Sequence, residues 1–341
     1  MVHTFWDTQP MSKETLGEID SSRCVRKTPI ELPKEFEWST CSIDEASDLL
    51  SSHYIRDEHF SLEYSKKFIE WATDPEWNIG IRAKSSGKLV GFISGIPSKY
   101  RFHDKIIDVM QANFLCVHDT LRNKRLTPLL ISELARRSNL KGIWQAIATA
   151  VAELPSPLVK TSYWHRLLNV PKLNKAKFSQ ERERPHIVSG SCSHRLITDT
   201  DVQRVTGVLS KHMSRYAVAP VIDEAYVKRW LLPVEDMIYS YIDDSSGHFT
   251  SYYCVPYTSV KTGTHVKQAY MFYDTGKGDL KDAVILARNV GIDVYNTLDV
   301  GLDVDILRTS KFMEGSGYNH CYVYNWSCGD MESDKIFMRI F

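Results

Sequence analysis

Asn113-Phe114-Leu115-Cys116-Val117-His118, followed at once by Leu121-Arg122-Asn123-Lys124-Arg125-Leu126-Thr127-Pro128, reads as a β-prone apolar run handed to a cationic turn that opens a helix. A strand end can present free backbone N–H groups, and the next helix N-terminus, with its cations, can hold phosphates. Chemistry on a group carried by a phosphate-bearing molecule needs both. The turn has neither Gly-x-Gly-x-x-Gly nor Gly-Lys-Ser/Thr, which argues against a dinucleotide enzyme or a nucleoside triphosphatase. Taken alone, Arg122, Lys124 and Arg125 fit a solvated basic helix start equally well.

Outward from this stretch the chain alternates helix and strand signals. Ser42-Ile43-Asp44-Glu45 offers N-cap chemistry to a helix through about His53, with Ala46, Leu49 and Leu50 on its inner face. Phe60 to Trp71 predicts a second amphipathic helix closed by Asp74-Pro75. Ile79–Lys84 and Lys88–Ile96 alternate about Ser85-Ser86-Gly87 as a hairpin ending at Pro97. Lys105–Val117 is a third strand, Thr127–Asn139 a helix with Pro128 at a permitted early position, and Ile143–Ala150 a buried strand.

The second half repeats this order. Thr198-Asp199-Thr200-Asp201 caps a helix to about Met213, Phe249–Pro256 and Gln268–Tyr273 read as strands, and the helix Leu280–Asn289 feeds a strand Ile292–Leu298. Leu134-Ala135-Arg136-Arg137-Ser138-Asn139 and Leu286-Ala287-Arg288-Asn289-Val290 hold the same place in each half. Two α/β halves on one plan are expected, with Gln180-Glu181-Arg182-Glu183-Arg184-Pro185 as the polar linker.

The 341 residues carry 42 basic and 42 acidic side chains, so no global field argues for nucleic acid or a membrane surface, and any phosphate recognition must be local. The 7 cysteines are scattered, without Cys-x-x-Cys or ligand spacing, as in reduced cytosolic chains. No run approaches the roughly 20 apolar residues of a membrane span, and a cytoplasmic protein is expected. Two features stand apart. Phe5-Trp6 places two large aromatics near the start, and Ile336-Phe337-Met338-Arg339-Ile340-Phe341 is apolar to the end, implying a buried segment that carries its carboxylate inward.

Phe5-Trp6-Asp7-Thr8-Gln9-Pro10, Lys88–Ser94, Asn113–Pro128, Tyr163-Trp164-His165-Arg166, Leu173–Phe178 and Tyr324-Asn325-Trp326 are together similar to the N-myristoyltransferases, which acylate N-terminal glycines from myristoyl-coenzyme A. The resemblance runs nearly end to end. It implies an α/β, duplicated GNAT-like acyltransferase fold with pseudo-twofold symmetry, a mixed twisted sheet flanked by helices. The implied division is an arm over 1–40 contacting coenzyme A, a half over 41–184 for acyl-coenzyme A, and a half over 185–341 for peptide and C-terminal carboxylate. Implied partners are myristoyl-coenzyme A as co-substrate and N-terminal glycine peptides, with no other cofactor, no metal, no nucleic acid, no stable membrane insertion and a monomeric chain.

By the same resemblance, backbone N–H groups of Phe114 and Leu115 form an oxyanion hole, and the α-carboxylate of Phe341 is the base. His3, Thr4, Phe5 and Trp6 contact coenzyme A, whose pantetheine and phosphates are held by Leu115, Cys116, Val117, Arg122, Asn123, Lys124, Arg125, Leu126 and Thr127. Tyr54, Asp57, Glu58, Asn113, Thr149, Tyr163, His165 and Tyr270 serve the peptide, with Thr149 orienting the amine and the acidic pair favouring a basic residue further along. Cys116 is expected to pack as a buried thiol, since direct transfer needs no acyl-enzyme. The chain departs from the family where Ala148 replaces a common tyrosine, Tyr257 a small hydroxyl residue, and Ser316 interrupts Gly-Asp-Gly. Phe341 itself replaces an aliphatic or amide residue. The rival expectations are a transferase of shorter acyl groups and a non-catalytic acyl-coenzyme A or lipidated-peptide binder.

Overall fold

The computed structural model describes residues 5–13, 16–55, 59–179, 190–276 and 278–338. Its frame is one long sheet. The first half supplies β1 (Phe36–Ser39), β2 (Asn78–Ala83), β3 (Leu89–Phe102), β4 (Lys105–Val117), β5 (Gln145–Ala150) and β6 (Val159–Leu167). The second supplies β7 (Arg195–Leu196), β8 (Ile238–Ile242), β9 (Phe249–Cys254), β10 (Gln268–Asp274), β11 (Val294–Leu298) and β12 (Met313–Tyr324). The spatial order is β1-β2-β3-β4-β5-β12-β6-β11-β10-β9-β8-β7, and this order is palindromic. β4·β5 and β10·β11 are the parallel pairs on this path, one in each half.

The two halves exchange strands at the centre. β12, from late in the chain, lies on β5, while β6, from before the 180–189 segment, lies on β11. Neither half can therefore complete its sheet from its own residues. The helices follow the same duplication: α1 (Ile43–His53) and α2 (Lys66–Ala72) match α4 (Val202–Met213) and α5 (Glu224–Trp230), and α3 (Leu126–Leu140) matches α6 (Lys281–Asn289).

Local chemistry starts these helices where the sequence implies. Ser42 Oγ accepts from Glu45 N, and the Glu45 carboxylate accepts from Ser42 N, both at 3.2 Å, while Ala46, Leu49 and Leu50 bury one stripe of α1. At the start of the second half Thr198 N donates to Asp201 at 2.8 Å.

Two expectations give way to tertiary context. Phe60–Trp71 is not one helix: Phe60–Leu62 is a strand antiparallel to Tyr257–Ser259, and α2 begins only after Ser65, whose hydroxyl accepts from Phe68 N. Phe60-Ser61-Leu62 alternates with period two, which suits a strand. β3 also continues past Pro97 to Phe102, because β2 pairs only as far as Ser94 and Val218–Pro220 joins only at Tyr100. Pro97 lies in the gap between these partners, where its missing N–H costs no ladder bond.

Among the described residues no helix is long and apolar enough to cross a membrane. The chain runs inward at Ile336, Phe337 and Met338, all buried, with Phe337 N donating to Val218 O at 2.7 Å. The last three residues, Phe341 included, lie outside the described residues.

Candidate active site

β4 and β5 pair in register as far as Ala112 and Ala148. Beyond that point β4 bulges: Phe92 faces Cys116 and Ser94 faces Asn113, so Phe114 and Leu115 have no register partner in either neighbouring strand. Phe114 takes a left-handed backbone, φ 53°, which for a bulky residue costs on the order of 1–3 kcal/mol and persists only where its surroundings enforce it. The enforcement is visible. The Phe114 ring is fully buried among Tyr54, Tyr64 and Phe68, with centroids 6.1, 5.9 and 6.5 Å away. The side chain is thus locked on one face while two peptide units leave the ladder.

A cavity of about 350 Å³ opens at this break between β4, β5 and α3. Its wall includes Trp6, Tyr54, Asn113, Phe114, Leu115 and Thr149, scattered over 144 positions of sequence and brought together by the parallel pair. Asn113 is 3% exposed, and neither its amide nitrogen nor its amide oxygen has a hydrogen-bond partner. An orphaned buried amide costs about 1–3 kcal/mol, so this one is suited to a ligand that supplies both a donor and an acceptor.

Past the strand the chain makes a 3₁₀ turn over Asp119–Lys124, then a left-handed Arg125, φ 56°, from which α3 starts without a side-chain cap. The first-turn N–H groups of α3 and the exposed side chains of Asn123, Lys124 and Arg125 meet there, a cationic end of the kind that binds phosphate. Arg122 is also exposed, but its guanidinium donates to His53 O at 2.7 Å and ties the turn to the end of α1. The Cys116, Val117 and Leu126 side chains are turned into the core, so only their backbone could touch a ligand. Burial pushes the Cys116 thiol up to about 12, and its Sγ lies 4.0 Å from Leu49 O, an inert packed thiol as expected.

Tyr163, His165 and Tyr270 are not on the cavity wall; they gather around the exchanged strands. Tyr163 and His165 stand on β6, facing Leu298 and Asn296 of β11. His165 Nδ1 lies 2.8 Å from Asn296 Oδ1, and Asn296 Nδ2 donates to Gln268 Oε1 at 2.9 Å, a chain that orients the ring with Nδ1–H as donor. Burial lowers the His165 pKa, with the Asn296 hydrogen bond acting the other way. Desolvation pushes the Tyr163 phenol up to about 12 and raises Tyr54 and Tyr270 as well, so all three are neutral donors at ordinary pH. Gly315 and Gly317 flank Ser316 for a steric reason. A Cβ on Gly315 would lie 2.5 Å from His165 Nε2, and one on Gly317 would lie 3.3 Å from Tyr163 Cδ2.

The same architecture is found in solved enzymes. A Saccharomyces cerevisiae N-myristoyltransferase with bound myristoyl-CoA superposes with a TM-score of 0.87 at 27% identity, over 95% of this chain and 93% of that one. The N-terminal domain of myristoyl-CoA:protein N-myristoyltransferase matches residues 17–161, and its C-terminal domain residues 174–338. The chain belongs to the N-myristoyltransferase family. A glycylpeptide N-tetradecanoyltransferase 2 of Danio rerio is 38% identical over 98% of this chain and 76% of its own length. The enzymes of Arabidopsis thaliana and Plasmodium falciparum are 36% and 33% identical over 95% and 98% of this chain.

Of the positions the family resemblance nominates, His3, Thr4, Asp57, Glu58 and Phe341 lie outside the described residues. Phe5 packs edge-on against Trp6, centroids 5.0 Å apart, and Trp6 alone of that pair is on the cavity wall. Sequence reading missed the far wall, where Ile131 and Ala135 of α3, Trp144 before β5, and Tyr322 and Tyr324 of β12 close the cavity. The period of α3 could have flagged Ile131 and Ala135; nothing local could have flagged β12. Ala148 lines the wall, so the departure from tyrosine leaves space there. Tyr257 is buried instead, stacked on Phe178 at 5.6 Å, with its hydroxyl unpartnered.

Proposed function

We propose that this chain transfers a myristoyl group from myristoyl-coenzyme A to the N-terminal glycine amine of protein substrates by direct attack. The observation that carries the mechanism is the break in β4, which takes Phe114 and Leu115 out of the ladder beside an apolar cavity and an unpartnered Asn113 amide. In this reading the thioester carbonyl lies against the Phe114 and Leu115 amides, which stabilise the oxyanion as the amine adds. A single such donor is worth about 3–4 kcal/mol in a transition state. The cavity takes the acyl chain and pantetheine, with Trp6 at its wall. The uncapped start of α3 with Lys124 and Arg125 takes phosphate, and Arg122 holds the turn in place.

Attack requires a neutral amine, whose reference pKa of about 7.7–8.0 asks only a modest base. That base is the α-carboxylate of Phe341, which follows the buried Ile336–Met338 segment in the chain. The proton leaves the attacking nitrogen for the carboxylate, the tetrahedral intermediate collapses, the C–S bond breaks, and coenzyme A departs as the thiol once protonated. Asn113 and Thr149 orient the glycine, and Tyr54, Tyr163, His165 and Tyr270 line the peptide beyond it.

A turnover assay with N-terminal glycine octapeptides and acyl-coenzyme A donors of several lengths tests the reading. Preference for the fourteen-carbon donor and for N-terminal glycine is expected. Better use of acetyl-coenzyme A, or tight binding without turnover of any glycine peptide, overturns it. Neutralising Lys124 and Arg125 together is expected to raise the acyl-coenzyme A dissociation constant about tenfold at low salt, measured by fluorescence titration.

A further inference from the structure

Cys192 and His194 are two apart in the stretch just before β7, where their side chains lie on one face. That face meets Asp282 in the first turn of α6, and the Cys192 thiol, a His194 ring nitrogen and the Asp282 carboxylate all lie within 4.8 Å of one another. None of the three lines the acyl cavity. We propose that Cys192, His194 and Asp282 form a binding site for a divalent transition metal of the zinc class.

The surroundings are those of a metal site with an outer shell. His194 Nε2 lies 2.9 Å from His248 Nδ1, and His248 Nδ1 lies 4.0 Å from Asp282 Oδ2, so His248 borders the three donors as fourth ligand or as the partner that fixes the His194 ring. His248 is itself held: its Nε2 lies 3.2 Å from Asp274 Oδ1, the carboxylate–histidine arrangement that orients ligating imidazoles. Two atoms of the cluster, His194 Nδ1 and Asp274 Oδ2, are buried without any partner, which a purely structural hydrogen-bond network would have no reason to leave.

The segment is also pinned from both sides. Ser193 Oγ donates to Asp243 at 2.7 Å, and the Arg195 guanidinium donates to both oxygens of Asp201 at 2.8 Å and to Asp244 at 2.7 and 2.9 Å.

Thiolate, imidazole and carboxylate suit a borderline-soft ion, whose bonds of about 2.0–2.3 Å draw the three donors inward on binding. Binding forms a metal–sulfur bond and releases the Cys192 proton to solvent; the thiolate and the Asp282 carboxylate together balance the divalent charge. The metal would clamp the chain emerging at Gly190 onto α6 and the β8–β9 and β10 ends, a role separate from acyl transfer.

The test uses the full chain, stripped with chelator and titrated with Co²⁺ and then Zn²⁺. A thiolate-to-Co²⁺ charge-transfer absorption saturating at one ion per chain, bleached by Zn²⁺ and accompanied by release of a proton, is the expected result. Cys192→Ser should abolish the band, Asp282→Asn and His194→Ala should weaken binding at least about tenfold, and Cys24→Ser, at an exposed thiol, should leave Co²⁺ binding unchanged. Asp282 is partly exposed, so Asp282→Asn keeps the test valid should the Cys192 variant fail to fold. Absence of the band, its survival in Cys192→Ser, or unchanged affinity in Asp282→Asn overturns the proposal.

Discussion

Phe114 and Phe272 stand at the same place in the two halves, two residues past the last parallel pair, Ala112 with Ala148 and Tyr270 with Asn296, and both are bulged out of their antiparallel ladder. Beyond the bulge the halves diverge. In the first half the bulge is left-handed and the gap past it is a cavity of about 350 Å³. In the second half Phe272 is not among the left-handed residues, and the residue after it, Tyr273, is covered by the Phe337 ring, which stacks on it at 5.1 Å and packs on Tyr216 at 5.3 Å. A Cβ on Gly301 would lie 2.8 Å from Phe337 Cδ2. A diverging parallel pair is a ready-made slot in this sheet. The first copy carries backbone strain beside an open cavity; the second is relaxed, and Phe337 packs against the Tyr273 next to its bulge.

The largest effect is expected at Phe337, whose ring plugs the space between Tyr216 and Tyr273. Phe337→Ala should lower unfolding free energy by about 3–5 kcal/mol, read by denaturant melts, because its ring is buried among Tyr216 and Tyr273 with no room for collapse to be complete. A loss below about 1 kcal/mol would mean that the second slot does not depend on the C-terminal segment.

Next in size is the carboxylate beyond that plug. Converting the Phe341 α-carboxylate to its amide should lower kcat about 100-fold while leaving acyl-coenzyme A affinity within about twofold, by stopped-flow turnover and equilibrium binding. Unchanged kcat removes Phe341 from the mechanism and leaves the plug purely structural.

Asn113→Leu tests whether the orphaned amide serves a ligand or only the core. Removing an amide with no partner should raise stability by about 1 kcal/mol and lower kcat/KM for glycine peptides about tenfold, since the ligand loses that amide's paired donor and acceptor. Lower stability together with full activity would make Asn113 an ordinary core residue.

The smallest effect belongs to β6, the strand that the first half lends to the second. The His165 pKa lies below the ordinary 6.5, chiefly by burial, so as pH falls the unfolded chain takes up that proton first. The stability tied to neutral His165 is therefore present above the ordinary value and is lost as pH falls through it to the lowered folded one. His165→Gln should flatten part of the acid-side loss in melting temperature between about pH 7.5 and 5; an unchanged slope would place the acid sensitivity elsewhere.

Much of this was legible in the residues, and the reasons are local. The Ser42/Glu45 capping box and the stripe of Ala46, Leu49 and Leu50 define α1 from its cap to His53, and Lys105–Val117 is a strand over the full expected length. Cys116 reads as a packed thiol in both sequence and structure. Phe60–Leu62 was misjudged because three residues carry too little period to outweigh the helical stretch beside them, and Pro97 because its tolerance depends on which strands stop short of it. The strands β1, β6, β7, β8 and β12 escaped sequence reading, and β6 and β12 are the exchanged pair.

The alternation of helices and strands, the repeat, the basic turn ahead of α3 and, through family-specific strings, the N-myristoyltransferase kinship can all be read from neighbouring residues. These depend on caps, periodicity and motifs that act within a few residues of one another. The palindromic sheet, the exchange of β6 and β12, the left-handed Phe114, the orphaned Asn113 amide and the packing of Phe337 on Tyr273 and Tyr216 are not readable this way. Each requires registering segments far apart in the chain, and that register is set by packing and strand pairing that no local window contains.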